Sequence, residues 1–290
     1  MILQDRDINI LRIILKYKHV NTDHIYGLFF GERSRAAMYH VLKRLNSLKL
    51  IRQVSFPRTT NYNLGNLIYL TKKGATVIAN EDNITISETG FKNFASQFQS
   101  INHYYHKKKE IDFLIKLDQE LIRLPLRVKL FFTDSERVMR NTKQVIKTQI
   151  CTSDNKHTLI PDILIVLQSE TNLEKERLLF VEIDTGKETI GGKYNHVSPN
   201  TLIHKYTTYE KILSDGYWKK LIATTADVFE VLTVTEKQTH IKGIINQGAP
   251  FIKWKSLFHF STFDLVEKSG VLNGSWYNMG QEMSMIKNLV

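Results

Sequence analysis

Apolar residues in the first quarter of the chain recur mostly at helical spacing. Between Asp5 and Lys18 they fall at Ile8, Ile10, Leu11, Ile14 and Leu15, the pattern of an amphipathic helix. Asn21-Thr22-Asp23 offers N-cap residues for a second, short helix through Phe29-Phe30, ended by Gly31. Ser34 caps a third, Arg35 to Leu48, with Met38, Val41, Leu42, Leu45 and Leu48 on its apolar face. Ile51 to Val54 and Leu67 to Leu70 read as strands, joined by the polar and aromatic loop Phe56 to Asn63. Thr71-Lys72-Lys73-Gly74 opens another short helix.

Three helices and a two-stranded wing predict a winged helix-turn-helix over residues 1–80. The polar run that follows predicts a linker over 81–100, with Phe91, Phe94 and Phe98 on one helical face. A second domain is expected over 101–290. It opens with a helix, Asn102 to Ile122, striped by Ile111, Phe113, Leu114, Leu117 and Leu121. Val128 to Thr133 reads as a strand, and the basic stretch Arg137 to Lys147 as irregular. Two apolar runs, Leu159 to Leu167 and Leu178 to Glu188, flank a polar connector and predict a hairpin. Ser198-Pro199 starts a helix packed through Leu202, Tyr206, Tyr209 and Leu213. Leu221 to Ala223 and Val228 to Thr235 read as strands. The tail from Lys253 carries Trp254, Phe258, Phe260, Phe263 and Trp276, too aromatic for a disordered segment, and is expected to pack on the core.

Charge changes the picture of the first domain. The chain carries +11, and residues 1–80 alone hold 13 Lys and Arg against 4 Asp and Glu. Such a bias points to a polyanion, with the third helix in the major groove of duplex DNA. Arg35, Tyr39, His40, Lys43 and Arg44 lie off its apolar face, and Arg58 lies in the wing loop, so these six are the expected DNA contacts. Cys151 is the single cysteine, which excludes intrachain disulfides and cysteine-based zinc sites. No apolar run has the length of a membrane span, and a cytoplasmic location is expected.

The candidate chemistry sits at one end of the predicted hairpin. Asp162 and Glu182 are equidistant from Asn172, so a symmetric hairpin sets them opposite each other. Glu182 and Asp184 share a face because the side-chain period of a strand is two. Three carboxylates would converge there and repel one another, and a divalent cation relieves that repulsion. The same repulsion predicts that removing Asp162 or Glu182 leaves the protein folded.

Pro161-Asp162, a spacer and Glu182-x-Asp184 resemble the PD-(D/E)xK nuclease signature, with Asp184 where that family usually has lysine. The longer string Glu182-Ile183-Asp184-x-Gly186-x-Glu188, then Lys205 and Tyr209, resembles the replication-relaxation family of plasmid and mobile-element proteins. It is also similar to the MOBC class of conjugative relaxases, which pair a winged helix with a restriction-endonuclease-like domain. Leu70-Thr71-x-x-Gly74 resembles the end of the first module in the same family, and the likeness runs to the strand near Val234.

The resemblance implies an α+β or α/β fold with a central mixed sheet and a Mg²⁺ or Mn²⁺ ion as cofactor. It implies Asp162 and Glu182 as ligands and Asp184 as ligand or supporting group. Glu110 on the helix before the sheet is the third candidate ligand, with Asp112 as rival. Lys205 is the candidate replacement for the missing motif lysine. His103 and His106 are spaced wrongly for a paired-histidine relaxase. Tyr62, Tyr104, Tyr105, Tyr194, Tyr206 and Tyr209 remain open as candidates for covalent attachment to DNA.

The expected function is a site-specific nickase acting on duplex DNA at a transfer or replication origin, in company with other conjugation or replication proteins. A non-catalytic DNA-binding accessory protein and a restriction-type double-strand endonuclease are the alternatives.

Overall fold

The computed structural model describes residues 3–31, 34–55, 65–91, 101–134, 136–140, 143–191 and 201–285. The chain divides into two compact units, 1–112 and 113–290.

In the first unit, helix α1 (Asp5–Tyr17) begins with a capping box between Gln4 and Asp7 and buries Ile10, Leu11 and Ile14. A short strand β1 (His19–Asn21), absent from the sequence expectation, leads into α2 (Thr22–Phe29), capped where Asn21 Oδ1 accepts from the His24 amide at 2.9 Å. Helix α3 (Arg35–Ser47) is capped by Ser34 and buries Met38, Leu42 and Leu45. Strands β2 (Ile51–Ser55) and β3 (Asn66–Leu70) pair antiparallel, and β1 joins the other edge of β3. The wing loop with Arg58 and Tyr62 lies outside the described residues. Helix α4 (Lys72–Glu81) follows, capped by Thr71. Helix α5 (Ile101–Leu121) runs through the division between the units. Phe94 and Phe98 also lie outside the described residues.

The second unit is built on a mixed seven-stranded sheet. Its strands are β4 (Leu126–Thr133), β9 (Ile163–Ser169), β10 (Glu176–Asp184), β11 (Phe229–Thr235), β12 (Phe258–Thr262), β13 (Ser275–Asn278) and β14 (Gln281–Met285), in the order β14-β13-β12-β11-β10-β9-β4. The basic stretch expected to be irregular forms a hairpin instead, β5 (Arg137–Arg140) with β6 (Lys143–Ile146). A smaller pair, β7 (Ile150–Cys151) and β8 (Thr158–Leu159), precedes β9. Between β10 and β11 run α6 (Leu202–Asp215) and α7 (Trp218–Leu221), and α8 (Gln238–Gly248) joins β11 to β12. The pairs β10–β11 and β11–β12 are parallel and need such crossovers. The strand expected over Leu221 to Ala223 does not form: Leu221 ends α7, which is anchored by the fully buried Trp218, and Ile222 and Ala223 are irregular. Helix α9 (Phe263–Ser269) and strands β12 to β14 come from the aromatic tail, with Phe258, Phe260 and Trp276 buried.

The central strands carry unbroken buried runs, as parallel strands covered on both faces require. Alternate residues of β9 and β10, among them Leu164, Val166, Leu178 and Phe180, pack with Leu202, Tyr206 and Tyr209 of α6 in one apolar core. Strand β10 ends at Asp184, earlier than its apolar pattern predicts. Gly186 adopts a left-handed φ of 74°, and its amide donates to Asp184 Oδ1 at 2.8 Å, which turns the chain out of the sheet.

Candidate active site

Strands β9 and β10 pair antiparallel with Val181 opposite Ile163 and Phe180 opposite Leu164. Continued by one residue, that register sets Asp162 against Glu182, as the symmetry about Asn172 predicts. Asp162 is half-buried just before β9, and its Oδ2 accepts from the Ile183 amide at 2.7 Å. That bond ties the acidic residue to the strand carrying Glu182.

Glu182 is buried in the middle of an apolar run, where an isolated carboxylate would be costly. Helix α6 supplies its partners. Lys205 Nζ lies 2.8 Å from Glu182 Oε2, and Tyr209 Oη donates to Oε1. Lys205 and Tyr209 are four apart and therefore project from one helix face. The Tyr209 ring is fixed by Phe180 at 5.8 Å and Phe229 at 5.9 Å between centroids, which aims its hydroxyl at the strand. Thr201 caps this helix, its hydroxyl accepting from the His204 amide at 3.2 Å. Tyr194 and Ser198-Pro199 lie outside the described residues.

The electrostatics follow from this packing. Burial pushes the Glu182 carboxyl above the usual carboxylate range; Lys205 opposes the shift, and the neighbouring Asp162 charge adds to it. Burial works against the Lys205 ammonium, but Glu182, Asp162 and Glu188 outweigh it and hold this lysine protonated well above its ordinary range. Glu188 Oε1 stands 3.6 Å from Nζ. Burial, then Glu182, raises the Tyr209 hydroxyl far beyond neutrality, so it donates and does not ionise.

Asp184 is held by different partners. Its Oδ2 accepts from Thr235 Oγ1 at 3.2 Å and lies 2.7 Å from His240 Nε2 on α8. Sequence reasoning missed Thr235 and His240. Ile241 and Ile244 have the spacing of a helix, but nothing in the chain marks His240 itself.

Glu110 is buried on α5, with its Oε1 2.6 Å from Lys107 Nζ and 3.2 Å from His106 Nε2. Its rival Asp112 is bound by His24 Nε2 at 2.6 Å and by Lys108 Nζ at 2.8 Å. Burial raises the Asp112 carboxyl, but His24 and Lys108 outweigh it and bring it down to about 2, so Asp112 has a structural ion pair. Of the candidate tyrosines, Tyr104, Tyr206 and Tyr209 are fully buried and cannot reach a DNA strand as folded.

Arg35, Tyr39, His40, Lys43 and Arg44 are all exposed along α3. Their spacing alone predicts that all five are free, but two are paired. Arg35 pairs with Asp23 at 2.8 Å and lies over the Tyr26 ring, and Arg44 pairs with the fully buried Asp7.

Residues 11–228 match the family described as Replication-relaxation. The chain belongs to the replication-relaxation family. No curated protein matches it. Among solved structures, this replication-relaxation protein is similar to a mutant of ZitR from Lactococcus lactis, at 22% identity over 42% of this chain and 77% of that one, with a TM-score of 0.23. It is also similar to the SdaI restriction endonuclease, at 12% identity over 90% of this chain and 88% of that one, with a TM-score of 0.26. At such scores neither likeness bears on fold or chemistry. Among the described residues no helix is long and apolar enough to cross a membrane.

Proposed function

We propose that this protein is a metal-dependent DNA endonuclease of relaxase type, nicking one strand at the transfer or replication origin of a plasmid or integrative conjugative element. The observation that carries the reading is the Glu182 cluster: a buried carboxylate set opposite Asp162 across a hairpin, held by Lys205 and Tyr209 from one helix. The donor set suits a hard divalent cation, because Asp162, Glu182 and Glu188 surround the single ammonium of Lys205 and leave net negative charge. Asp162 and Glu182 would hold Mg²⁺ or Mn²⁺, which would supply polarisation of the scissile phosphodiester. Glu110 is the further proposed ligand.

The side chains have separable parts in this reading. In hydrolysis a water oxygen bonds to phosphorus while one P–O ester bond breaks, and the water's proton passes through solvent to the departing sugar oxygen. Lys205 stays protonated and offers fixed positive charge to the oxygens on which negative charge develops. Tyr209 aligns the Glu182 carboxylate. Asp184, with Thr235 and His240, braces the same strand end. Residues 1–80 serve as a winged-helix reader of duplex DNA, contacting it through Arg35, Tyr39, His40, Lys43, Arg44 and Arg58. The origin brings other conjugation or replication proteins as partners, and the cytoplasm is the expected compartment.

One observation favours the rival reading, a non-catalytic DNA-binding protein. Both Glu182 oxygens already accept hydrogen bonds from protein donors. The deciding experiment incubates the full chain with Mg²⁺ or Mn²⁺ and a supercoiled plasmid bearing the origin of its own element. Open-circle product is expected, removed by EDTA and by Asp162→Asn or Glu182→Gln. Linear product would make it a restriction-type enzyme, and a folded wild type inert with both metals would leave the non-catalytic reading.

A further inference from the structure

The first unit holds a groove of about 610 Å³ that the expected DNA contacts do not include. It is framed by Asn46 and Lys49 after the exposed face of α3, by Arg52 on β2, and by Lys72 and Lys73 at the start of α4, with Tyr69 in its floor. Four of these side chains are cationic, and the lining has no carboxylate. The larger cleft of about 820 Å³ along α6 is of mixed charge, with Asp154, Glu210 and Asp215 beside Lys211 and Lys253.

The cations of this groove differ from three arginines of the same unit. Arg12 pairs with Asp82, Arg35 with Asp23 and Arg44 with Asp7. Among the described residues Lys49, Arg52, Lys72 and Lys73 have no carboxylate partner; Lys73 Nζ donates only to the Leu48 carbonyl at 3.1 Å. Part of the excess positive charge of residues 1–80 thus gathers at a groove whose lining has no carboxylate to neutralise it. Four like charges around one groove repel one another; a row of phosphates at backbone spacing offsets that repulsion and releases the counterions condensed on the nucleic acid. Tyr69 is buried in the floor and Phe91 at the edge is half-buried, so the four cations, and not an exposed ring stack, are what the groove offers a strand, and they suit backbone phosphates.

We infer that this groove binds the sugar-phosphate backbone of a nucleic-acid strand, as a contact additional to the α3 face. The inference rests on the reading of the chain as a DNA-acting protein, but not on its cleavage chemistry. The occupant is the flank of the duplex bound through α3, because Asn46 at the end of that helix lines the groove; an effect confined to single strand would overturn that assignment.

The test measures binding of the full-length protein in EDTA, where no cleavage can occur, to a duplex oligonucleotide and to its single strand across a salt series. The triple variant Lys49→Asn, Arg52→Gln, Lys72→Gln keeps a residue tolerant of the left-handed φ of 60° at position 49 and alters only exposed side chains. Loss of three phosphate contacts makes the slope of log K against log salt shallower by about 3 on duplex or about 2 on single strand. Affinity at moderate salt is expected to fall about tenfold to a hundredfold on the duplex. Lysine acetylation read by mass spectrometry should show Lys49 and Lys72 protected in the wild type by the duplex.

Unchanged affinity and salt slope on both forms, or acetylation that DNA does not suppress, would overturn the inference. So would protection by an acidic polypeptide, such as polyglutamate, but not by either form of DNA. Because cleavage is absent from every arm, these results stand apart from the outcome of the plasmid test.

Discussion

Lys205 Nζ lies 2.8 Å from Glu182 Oε2, and this pair joins the packing helix to the sheet at the acidic strand end. Glu182 is buried and Lys205 mostly so. Breaking one side of such a pair leaves the other charge uncompensated. Lys205→Met should therefore lower stability by about 3 kcal/mol in urea titrations and abolish nicking. Adding Glu182→Gln to Lys205→Met should recover much of the stability and none of the activity. A double-mutant cycle with no coupling would show that the ion pair does not act as a unit.

The same geometry corrects an expectation drawn from the sequence. Like-charge repulsion alone predicts that losing Asp162 or Glu182 is harmless to folding. Asp162 Oδ2, however, accepts from the Ile183 amide, and Glu182 accepts from the buried Tyr209 hydroxyl. Alanine at either position strands a donor. Asp162→Ala and Glu182→Ala are expected to cost about 1–3 kcal/mol, and Asp162→Asn and Glu182→Gln less. Thermal unfolding of the four variants checks the order.

In the proposed site His240 stands to Asp184 as an outer partner stands to a metal-ligating carboxylate. His240→Ala removes the group 2.7 Å from Asp184 Oδ2 while Thr235 remains in place. Nicking should fall about tenfold to a hundredfold with DNA affinity unchanged. Loss of affinity in parallel with rate would assign His240 to DNA contact instead.

The hairpin was legible because its two apolar runs are symmetric about Asn172, and a strand register has no freedom once one face is buried. Lys205 and Tyr209 were legible as one face of an amphipathic helix. Three other features were not. His240 reaches Asp184 through a crossover that local periodicity does not encode. The hairpin Arg137 to Ile146 has largely exposed strands, so no buried face marks it. Arg44 matches a DNA contact in type and spacing, and only the folded α1 shows that Asp7 is beneath it.

That last pair separates two kinds of basic residue on α3. Arg44 neutralises the fully buried Asp7, whereas Lys43 has no ion-pair partner among the described residues. Lys43→Ala should weaken duplex binding and leave the unfolding midpoint unchanged. Arg44→Ala should weaken binding and destabilise the fold by about 2 kcal/mol, since a buried carboxylate loses its cation. Equal midpoints for the two variants would count against the Asp7 pairing.

His19 makes the stability of the first unit depend on pH. Burial, with the charges of Lys107, His24 and His103 adding to it, brings the imidazole down from the ordinary 6.5 to about 3. Between those values the unfolded chain binds a proton at this site and the folded chain does not. Stability therefore rises with pH through this window. On acidification it should fall from about pH 6.5 downward, by ~1.4 kcal/mol per pH unit from this residue, and level off below about 3. Asp112, with its carboxyl near 2, is depressed below its unfolded value and contributes only at the acid end, where its pairing with His24 and Lys108 is lost. Urea titrations of the full chain from pH 7 to 4 would read the slope. His19→Gln removes the titrating group and should flatten it, at the cost of a lower stability at pH 7. A slope that is the same in His19→Gln would place the pH dependence in other groups.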